Sequence, residues 1–422
     1  MGTSFRVLAV TAVVFWVVHL PASGQSNAND QGPEPQEAFT LDDLIELARE
    51  RNPDLLAMQA ERESLDADRR DAGRLHNPEI EWAMGEGDPF ESTEKRTLRE
   101  ISVSQIIENP LSRHFRQGAR RKVVEAADEG IRFGRLELDS EVRLHFYRIL
   151  FLEERLAIAR LNEEALDEIR GLIETRARVG EVKELETIRL RVEHMRAQNE
   201  VTAAELELSQ FRQHLNTFLG NALPGDYSLV GDLDSGHAVP DFEELRAGIL
   251  PNHPLLARAS RTKAAVEEQL KAANFQWIPN PVLSARSAKE MDGDVVKWGI
   301  GLQIPLWNQS RAAAERERQN LRQMELLQQG LLLELEAKLM IHHNHLVQGQ
   351  QTLRLFKEGL LEEAEMSMEI SELSYREGEI SLVEYLDARR TYQSIQNEYQ
   401  QALYEWSREL SELNRAVGGG IL

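Results

Sequence analysis

Two hydrophobic rhythms alternate along this chain. The first has a period of two. Ile80, Trp82 and Met84 alternate with Glu79, Glu81 and Ala83, and Val296, Trp298, Ile300, Leu302 and Ile304 alternate with Lys297, Gly299, Gly301 and Gln303. That spacing puts apolar side chains on one face of an extended strand. Together with two noisier stretches it predicts four strands, at about 79–86, 97–106, 282–288 and 295–304. The second rhythm alternates steps of three and four. Leu335, Leu339, His342, Leu346, Gly349, Leu353, Phe356 and Leu360 follow it, as do Leu382, Tyr385, Arg389, Tyr392, Gln396, Tyr399, Leu403, Trp406, Leu410, Leu413 and Val417. A mean step of about 3.5 is the signature of helices packed side by side along their length. Several seam positions are polar (His342, Arg389, Gln396), which a tube with one wet face accepts more readily than a dry two-stranded coil.

Proline placement sets the helix lengths. From Leu111 to Arg178, and from Gln309 to Arg376, 68 residues run without proline. At 1.5 Å per residue each stretch would extend roughly 100 Å. No single globular core covers such a rod, so it must pack against other rods. Long helices are expected at 111–178, 181–219, 309–376 and 379–417. The glycines Gly180 and Gly378 mark tight hairpin tips, because the heptads resume directly after each.

The two halves are copies. Asn52-Pro53 reappears as His253-Pro254, and Asn77-Pro78 as Asn280-Pro281. Gln105-Ile106, Ser112-Arg113, Gly180-Glu181 and Leu219-Gly220 match Gln303-Ile304, Ser310-Arg311, Gly378-Glu379 and Val417-Gly418 at one offset of 198. Such ordered self-similarity indicates duplication. The first repeat covers 39–220, with Thr40 as N-cap of its opening helix, and the second covers 241–418. A turn-rich linker at 221–240, with a short strand near 227–230, joins them, and 419–422 form a tail.

The front of the chain reads as an export address. Residues 1–24 have a lone basic residue, Arg6, then an apolar run at 7–18 and small residues at Ala22-Ser23-Gly24, as a cleavable signal peptide does. The apolar run is too short to span ~30 Å of hydrocarbon. A polar leader at 25–38 is expected to be poorly ordered.

Composition then narrows the chemistry. The 422 residues hold 49 Lys+Arg against 71 Asp+Glu and no cysteine. The net charge of −22 argues against a nucleic-acid partner. The lack of cysteine excludes disulfides, thiolate metal sites and a lipidated N-terminal cysteine. No nucleophile elbow, zinc-protease or phosphate-loop motif stands in a supporting context, so no catalytic residue and no cofactor is assigned. His342 and His345 lie at i, i+3, but no acid or cysteine completes a site locally, and they are not assigned as ligands.

The strands alone leave two readings: isolated hairpins packed on helices, or part of a transmembrane barrel. Single-chain barrels need at least about 8 strands, so strands that span would have to be shared among several chains.

At this point the chain resembles the TolC-type outer membrane efflux protein family over essentially 39–418. The carriers are the two Asn-Pro strand starts, the segment Gln303-Ile304-Pro305-Leu306-Trp307-Asn308 leading into a long helix, and Tyr375-Arg376-Glu377-Gly378-Glu379-Ile380-Ser381-Leu382 at the second tip. Overall length and compact outer loops are most similar to the outer-membrane component of heavy-metal (cobalt-zinc-cadmium type) resistance-nodulation-division efflux systems. The resemblance implies a mainly α fold with a small β part. Duplicated helical hairpins would form an α-barrel in the periplasm, and each subunit of a homotrimer would give four strands to a 12-stranded β-barrel in the outer membrane. It also implies a passive exit duct, not an enzyme, docked through a periplasmic adaptor to an inner-membrane pump. Val179, Gly180, Tyr375 and Gly378 match the family's adaptor-contacting tips. Glu186, Glu384 and Asp387 fall where the family places acids near the periplasmic aperture, although acids so spaced also suit a solvated helix face. Some members latch that aperture with an arginine two residues after the second-tip glycine; here the position is Ile380. Drug efflux and type I protein secretion remain alternative duties for such a duct. A soluble periplasmic coiled-coil adaptor or scaffold is the alternative of another class.

Overall fold

The computed structural model describes residues 37–87, 96–178, 183–233, 238–290, 293–304 and 311–421. The signal segment, most of the leader, and tip residues Val179 and Gly180 lie outside that set.

Each repeat opens on a capped helix pair. In the first, α1 (Leu41–Arg51) is closed by a capping box in which Thr40 and Asp43 satisfy each other's backbone N–H groups. After it, α2 (Pro53–Asp71) starts with proline at its first position, and the Asn52 side chain accepts from the N–H groups of Asp54 and Leu55. Proline there removes only a donor that would have no helical partner. The second repeat opens with the single turn α5 (Phe242–Glu244), followed by a π turn (Leu245–Ile249) and a 3-10 turn (Leu250–Asn252). Next comes α6 (Pro254–Asn274), capped by His253, whose Nδ1 accepts from Leu255 N–H at 3.1 Å. Burial holds the His253 imidazole below its usual pKa, which suits that acceptor role.

The leader is ordered at its end. Glu37 and Ala38, expected in a flexible segment, instead begin β1 (Glu37–Phe39), which pairs in parallel with linker strand β4 (Tyr227–Leu229). Phe39 therefore ends a strand, and the helix begins only at Leu41 after its cap Thr40. Its ring meets Tyr227 edge-on at 6.4 Å, and this aromatic contact anchors the pairing.

Four strands form one antiparallel sheet: β2 (Glu79–Gly87), β3 (Arg96–Ile106), β5 (Pro281–Glu290) and β6 (Gly293–Leu302), in the order β2-β3-β5-β6. Register fixes its two faces, because directly opposed residues point the same way. One face carries the rows Ile80–Val103–Ala285–Trp298 and Trp82–Ile101–Ser287–Val296, with Leu283–Ile300 beside them. Trp298 is 82% exposed and Ile300 78%. The far end of this face changes to Met84, Arg99, Lys289 and Asp294. The opposite face carries Glu79, Glu81, Glu100, Ser102, Ser104, Ser284, Arg286 and Lys297, with Arg286 on Glu100 at 2.7 Å. Among the described residues β2 and β6 each pair on one side only.

Asn280-Pro281, at the start of β5, and Asn109-Pro110, just after β3, attach this sheet to the helices. Asn280 Oδ1 accepts from Asn109 N–H at 2.8 Å, and Asn109 in turn donates to Phe275 O and caps Leu111 N–H. Phe115 stacks on Phe275 with ring centroids 5.6 Å apart. Below that junction runs α3 (Pro110–Arg178), 69 residues, which packs against α1, α2, α6 and α4 (Glu184–Phe218), and against α9 (Leu382–Ala416).

The second long helix is not continuous. A single helix over 309–376 was expected; instead α7 (Arg311–Leu355) gives way to a π turn (Phe356–Leu360) before α8 (Leu361–Glu377). Gly359 takes φ 145, a value that side-chain-bearing residues avoid. The extra residue shifts the seam: Leu335, Leu339, Leu346, Leu353 and Phe356 are buried, Leu360 is exposed, and burial resumes at Ala364, Met368 and Tyr375. The return helices also begin later than expected, at Glu184 and Leu382. The strand expected at 295–304 ends at Leu302, leaving Gln303 and Ile304 outside it.

Burial divides along the length into separate clusters. One surrounds Leu44, Val142, Ile149 and Leu215, a second Leu339, Leu346, Trp406 and Leu413, and a third Ile169, Ile173, Tyr375 and Tyr385. Among the described residues no helix is long and apolar enough to cross a membrane.

The sheet makes a directional prediction. Trp298→Lys on the exposed apolar face should reduce membrane association, because a lysine on a strand face that meets hydrocarbon costs up to about 2–4 kcal/mol. Ser104→Lys, opposite Glu79 on the polar face, should associate normally. The yield of protein recovered in membrane fractions measures both.

Candidate functional site

The end of the molecule opposite the sheet is built from both repeats. Tyr375, on the last turn of α8, stacks on Tyr385 of α9 with ring centroids 5.2 Å apart and planes 18° from parallel. Tyr385 is fully buried. Around the pair lie Leu166, Ile169 and Ile173 of α3, Leu190 of α4 and Met368 of α8. Gly378 closes α8 at φ 83, where its N–H reaches Tyr375 O and the N–H of Glu379 reaches Ser374 O. This is the left-handed helix stop that glycine adopts without strain.

Polar ties cross between repeats. Arg389 of α9 donates through Nε to Asn162 Oδ1 at 2.8 Å, and through its terminal nitrogens to Leu161 O, Asn162 O and the Tyr385 hydroxyl. Arg176 donates to Arg376 O at 2.7 Å. Burial, with the negative charge of Glu186 adding to it, pushes the Tyr375 phenol up to about 12.

The three sequence-designated acids fall into two environments. Glu186 is half-buried in the first turn of α4 and acts electrostatically on Tyr375. Glu384 and Asp387 are exposed and lie at i, i+3 on α9, hence on neighbouring positions of one face. Glu384 has a second duty: its carboxylate accepts from Ser381 N–H at 2.8 Å while its own N–H reaches Ser381 Oγ. Hydrogen bonds to the carboxyl from the Ser381 backbone N–H, and next from its hydroxyl, hold it below its ordinary pKa. Tyr375, Gly378, Glu186, Glu384 and Asp387 thus converge on this end of the protein. Val179 and Gly180 lie outside the described residues.

A second cluster lies farther up the shaft. His342 and His345 on α7 both direct Nδ1 at Glu409 Oε2 of α9, at 2.8 and 3.1 Å. Arg408 donates to Glu409 Oε1 at 2.7 Å. Burial alone would raise the Glu409 carboxyl, but the bonds from His342, Arg408 and His345 override it and leave the group at about 2. The sequence offered no acid close to the histidines; Glu409 arrives from 64 residues away because α7 and α9 are neighbours. Arg389 was legible as a polar seam residue, but its partners, more than 220 residues earlier, were not.

The chain is thus a duplicated helical shaft with an amphipathic sheet, open-edged among the described residues, at one end and a two-repeat tip at the other. The chain belongs to the outer membrane efflux protein family, whose model matches residues 44–221 and 245–419. It is 25% identical over 394 residues to the cobalt-zinc-cadmium resistance protein CzcC of Cupriavidus metallidurans, covering 91% of this chain and 92% of that one. It is 24% identical over 430 residues to the pyoverdine export outer membrane protein OpmQ of Pseudomonas aeruginosa, covering 94% and 90%. Among solved structures, the outer-membrane channel OprN superposes with a TM-score of 0.77 at 19% identity, over 90% of each chain. That likeness shows the fold. Family membership sets aside the soluble scaffold: the chain is an outer-membrane efflux channel with a helical periplasmic portion.

Arg389→Ala should loosen the tip. Losing the guanidinium and its bonds to Asn162 and Leu161 should cost about 2 kcal/mol, as charged hydrogen bonds do. Arg389→Lys should recover less than half, since an ammonium lacks the fork. Amide hydrogen exchange should quicken around 160–170 and 380–392 and stay unchanged in the sheet.

Proposed function

We propose that three copies of this chain form a passive exit duct, and that the tip end docks to a periplasmic adaptor serving an inner-membrane pump. The observation that carries this reading is the sheet. It has an apolar face that water disfavours and, among the described residues, open edges on β2 and β6. Open edges are not tolerated in hydrocarbon, and four strands fall short of the ~8 that close the smallest barrels. Three copies supply twelve strands and bring β6 of one subunit to β2 of the next. The apolar rows then face lipid and the rows bearing Glu79, Glu81, Glu100, Arg286 and Lys297 face a wet lumen.

At the other end, the exposed turn at Gly378 forms the docking surface for the adaptor, and Tyr375, buried against Tyr385, sets its shape from beneath instead of touching the partner; Val179 and Gly180, outside the described residues, are assigned the same docking role by the family resemblance alone. Glu186, Glu384 and Asp387 become rings of like charge around the aperture, where they attract cations and repel anions. The duct needs no catalytic group; the pump supplies the work. A divalent metal cation is the cargo this field favours, in keeping with the name of the CzcC relative. The OpmQ relative, named for pyoverdine export, supports an organic cargo as the second reading.

Planar-bilayer recording of the purified protein tests the proposal. Wild-type channels should conduct and prefer cations in a salt gradient. Glu384→Gln with Asp387→Asn should move the reversal potential toward zero with the channel still open. Unchanged selectivity would remove these acids from the aperture, and the lack of any conductance would remove the duct.

A further inference from the structure

The duplication supplies an internal comparison for the histidine cluster. At the 198-residue offset, His342, His345 and Glu409 correspond to Leu144, Tyr147 and Phe211. The first repeat thus fills the equivalent places with apolar and aromatic side chains. Packing two helices of this shaft does not require a polar trio there. Yet the second repeat converges two imidazoles on one carboxylate oxygen, at a site where the carboxylate side chain is only 9% exposed.

We infer that His342, His345 and Glu409 form a binding site for a divalent transition-metal cation such as Zn²⁺, pinning α7 to α9. One ring nitrogen each of His342 and His345 and a Glu409 carboxylate oxygen lie within 4.8 Å of one another. A tetrahedral zinc with bonds of about 2.0–2.1 Å spaces its ligands about 3.3 Å apart. The present separations of 2.8 and 3.1 Å from each histidine to the acid need to open only by a few tenths of an ångström. The i, i+3 spacing keeps both imidazoles on one side of α7. Each ring binds through Nδ1 as the Nε2–H tautomer, which keeps it neutral.

Supporting contacts match what a ligand carboxylate requires. Arg408 holds Glu409 Oε1, which leaves Oε2 directed at the histidines. Metal-ligating carboxylates are commonly oriented by such an outer hydrogen bond. The neighbouring His343 is engaged elsewhere, on Pro240 O at 3.0 Å, so it does not join the set. Beside the trio a cleft of about 250 Å³ is lined by His345, Gln348, Thr352, Glu405, Arg408 and Glu409. It has room for water in the fourth position, and Glu405 adds a second negative charge to offset Arg408. Three protein ligands and an open position make an exchangeable site rather than a closed structural one. Two imidazoles and one carboxylate favour zinc and its first-row neighbours over magnesium or calcium, which take oxygen ligands, and over copper(I), which takes sulfur. The inference stands on this geometry alone and does not depend on what the duct exports.

Tag-free, full-length protein, extracted in detergent and stripped with chelator, tests it. Calorimetric titration with Zn²⁺ should show one site per chain, and Co²⁺ should give the intense visible bands of a low-coordinate ion. His345→Ala, whose side chain is half exposed and dispensable for packing, should weaken Zn²⁺ binding at least 100-fold. Glu409→Gln should do the same, and His343→Ala should leave it unchanged. Zn²⁺ should raise the melting temperature of the wild type but not of His345→Ala, and Mg²⁺ should do neither. Zinc uptake that is equal in wild type and His345→Ala, or no uptake by the wild type, overturns the inference. Because His345→Ala leaves Glu409 and the seam intact, a folding failure in Glu409→Gln alone would not mask the result.

Discussion

A sheet edge in hydrocarbon has no water to satisfy its N–H and C=O groups, and each group left unpaired costs several kcal/mol. That constraint governs this protein. The sheet β2-β3-β5-β6 offers lipid an apolar face with Trp82, Ile101, Trp298 and Ile300 exposed, yet β2 and β6 each have only one neighbour among the described residues. The face calls for a bilayer and the edges call for further strands. In the proposed assembly, closure by sister chains meets both demands, and the helical shaft is what holds those chains in register.

The shaft does so without a central core. Helix α3 spans 69 residues, about 100 Å, and buries apolar positions in two separate clusters, one around Val142 and Ile149 and one around Ile169 and Ile173. The tip cluster is separate from the cluster in the middle of the shaft. The π turn at Phe356–Leu360 belongs to the same economy of parts. It resets the seam of the second repeat so that Met368 and Tyr375 meet Leu166 and Ile173 of the first. Without that reset, the residues four and eight beyond Leu360 would be carried off the contact face.

Much of this was legible in the residues themselves. Period-two alternation fixed the apolar face of β6, because strand side chains can point only two ways. Proline-free runs fixed the great lengths of the helices. Thr40 with Asp43 announced the start of α1 through capping chemistry, whereas the equivalent Ser381–Glu384 cap went unread and α9 was expected three residues too early. What stayed hidden depended on the third dimension. The interruption near Gly359 left no proline to mark it. The strand at Glu37 forms only because Tyr227, 190 residues later, lies beside it. The partners of Arg389 and the acid that joins His342 and His345 are likewise set by which helices are neighbours, a matter on which local periodicity is silent. The acids Glu384 and Asp387 were visible as an exposed pair, but the cap that Glu384 forms with Ser381 shows one carboxylate carrying a structural duty alongside an electrostatic one.

Everything in this account turns on how many chains close the sheet. Native mass spectrometry of protein extracted gently from outer membranes counts them directly. A single species at three times the mature chain mass, persisting at dilution, is the expected result. A folded monomer that retains the full strand content in water would contradict the account, because its apolar face and open edges would then need no sister chain.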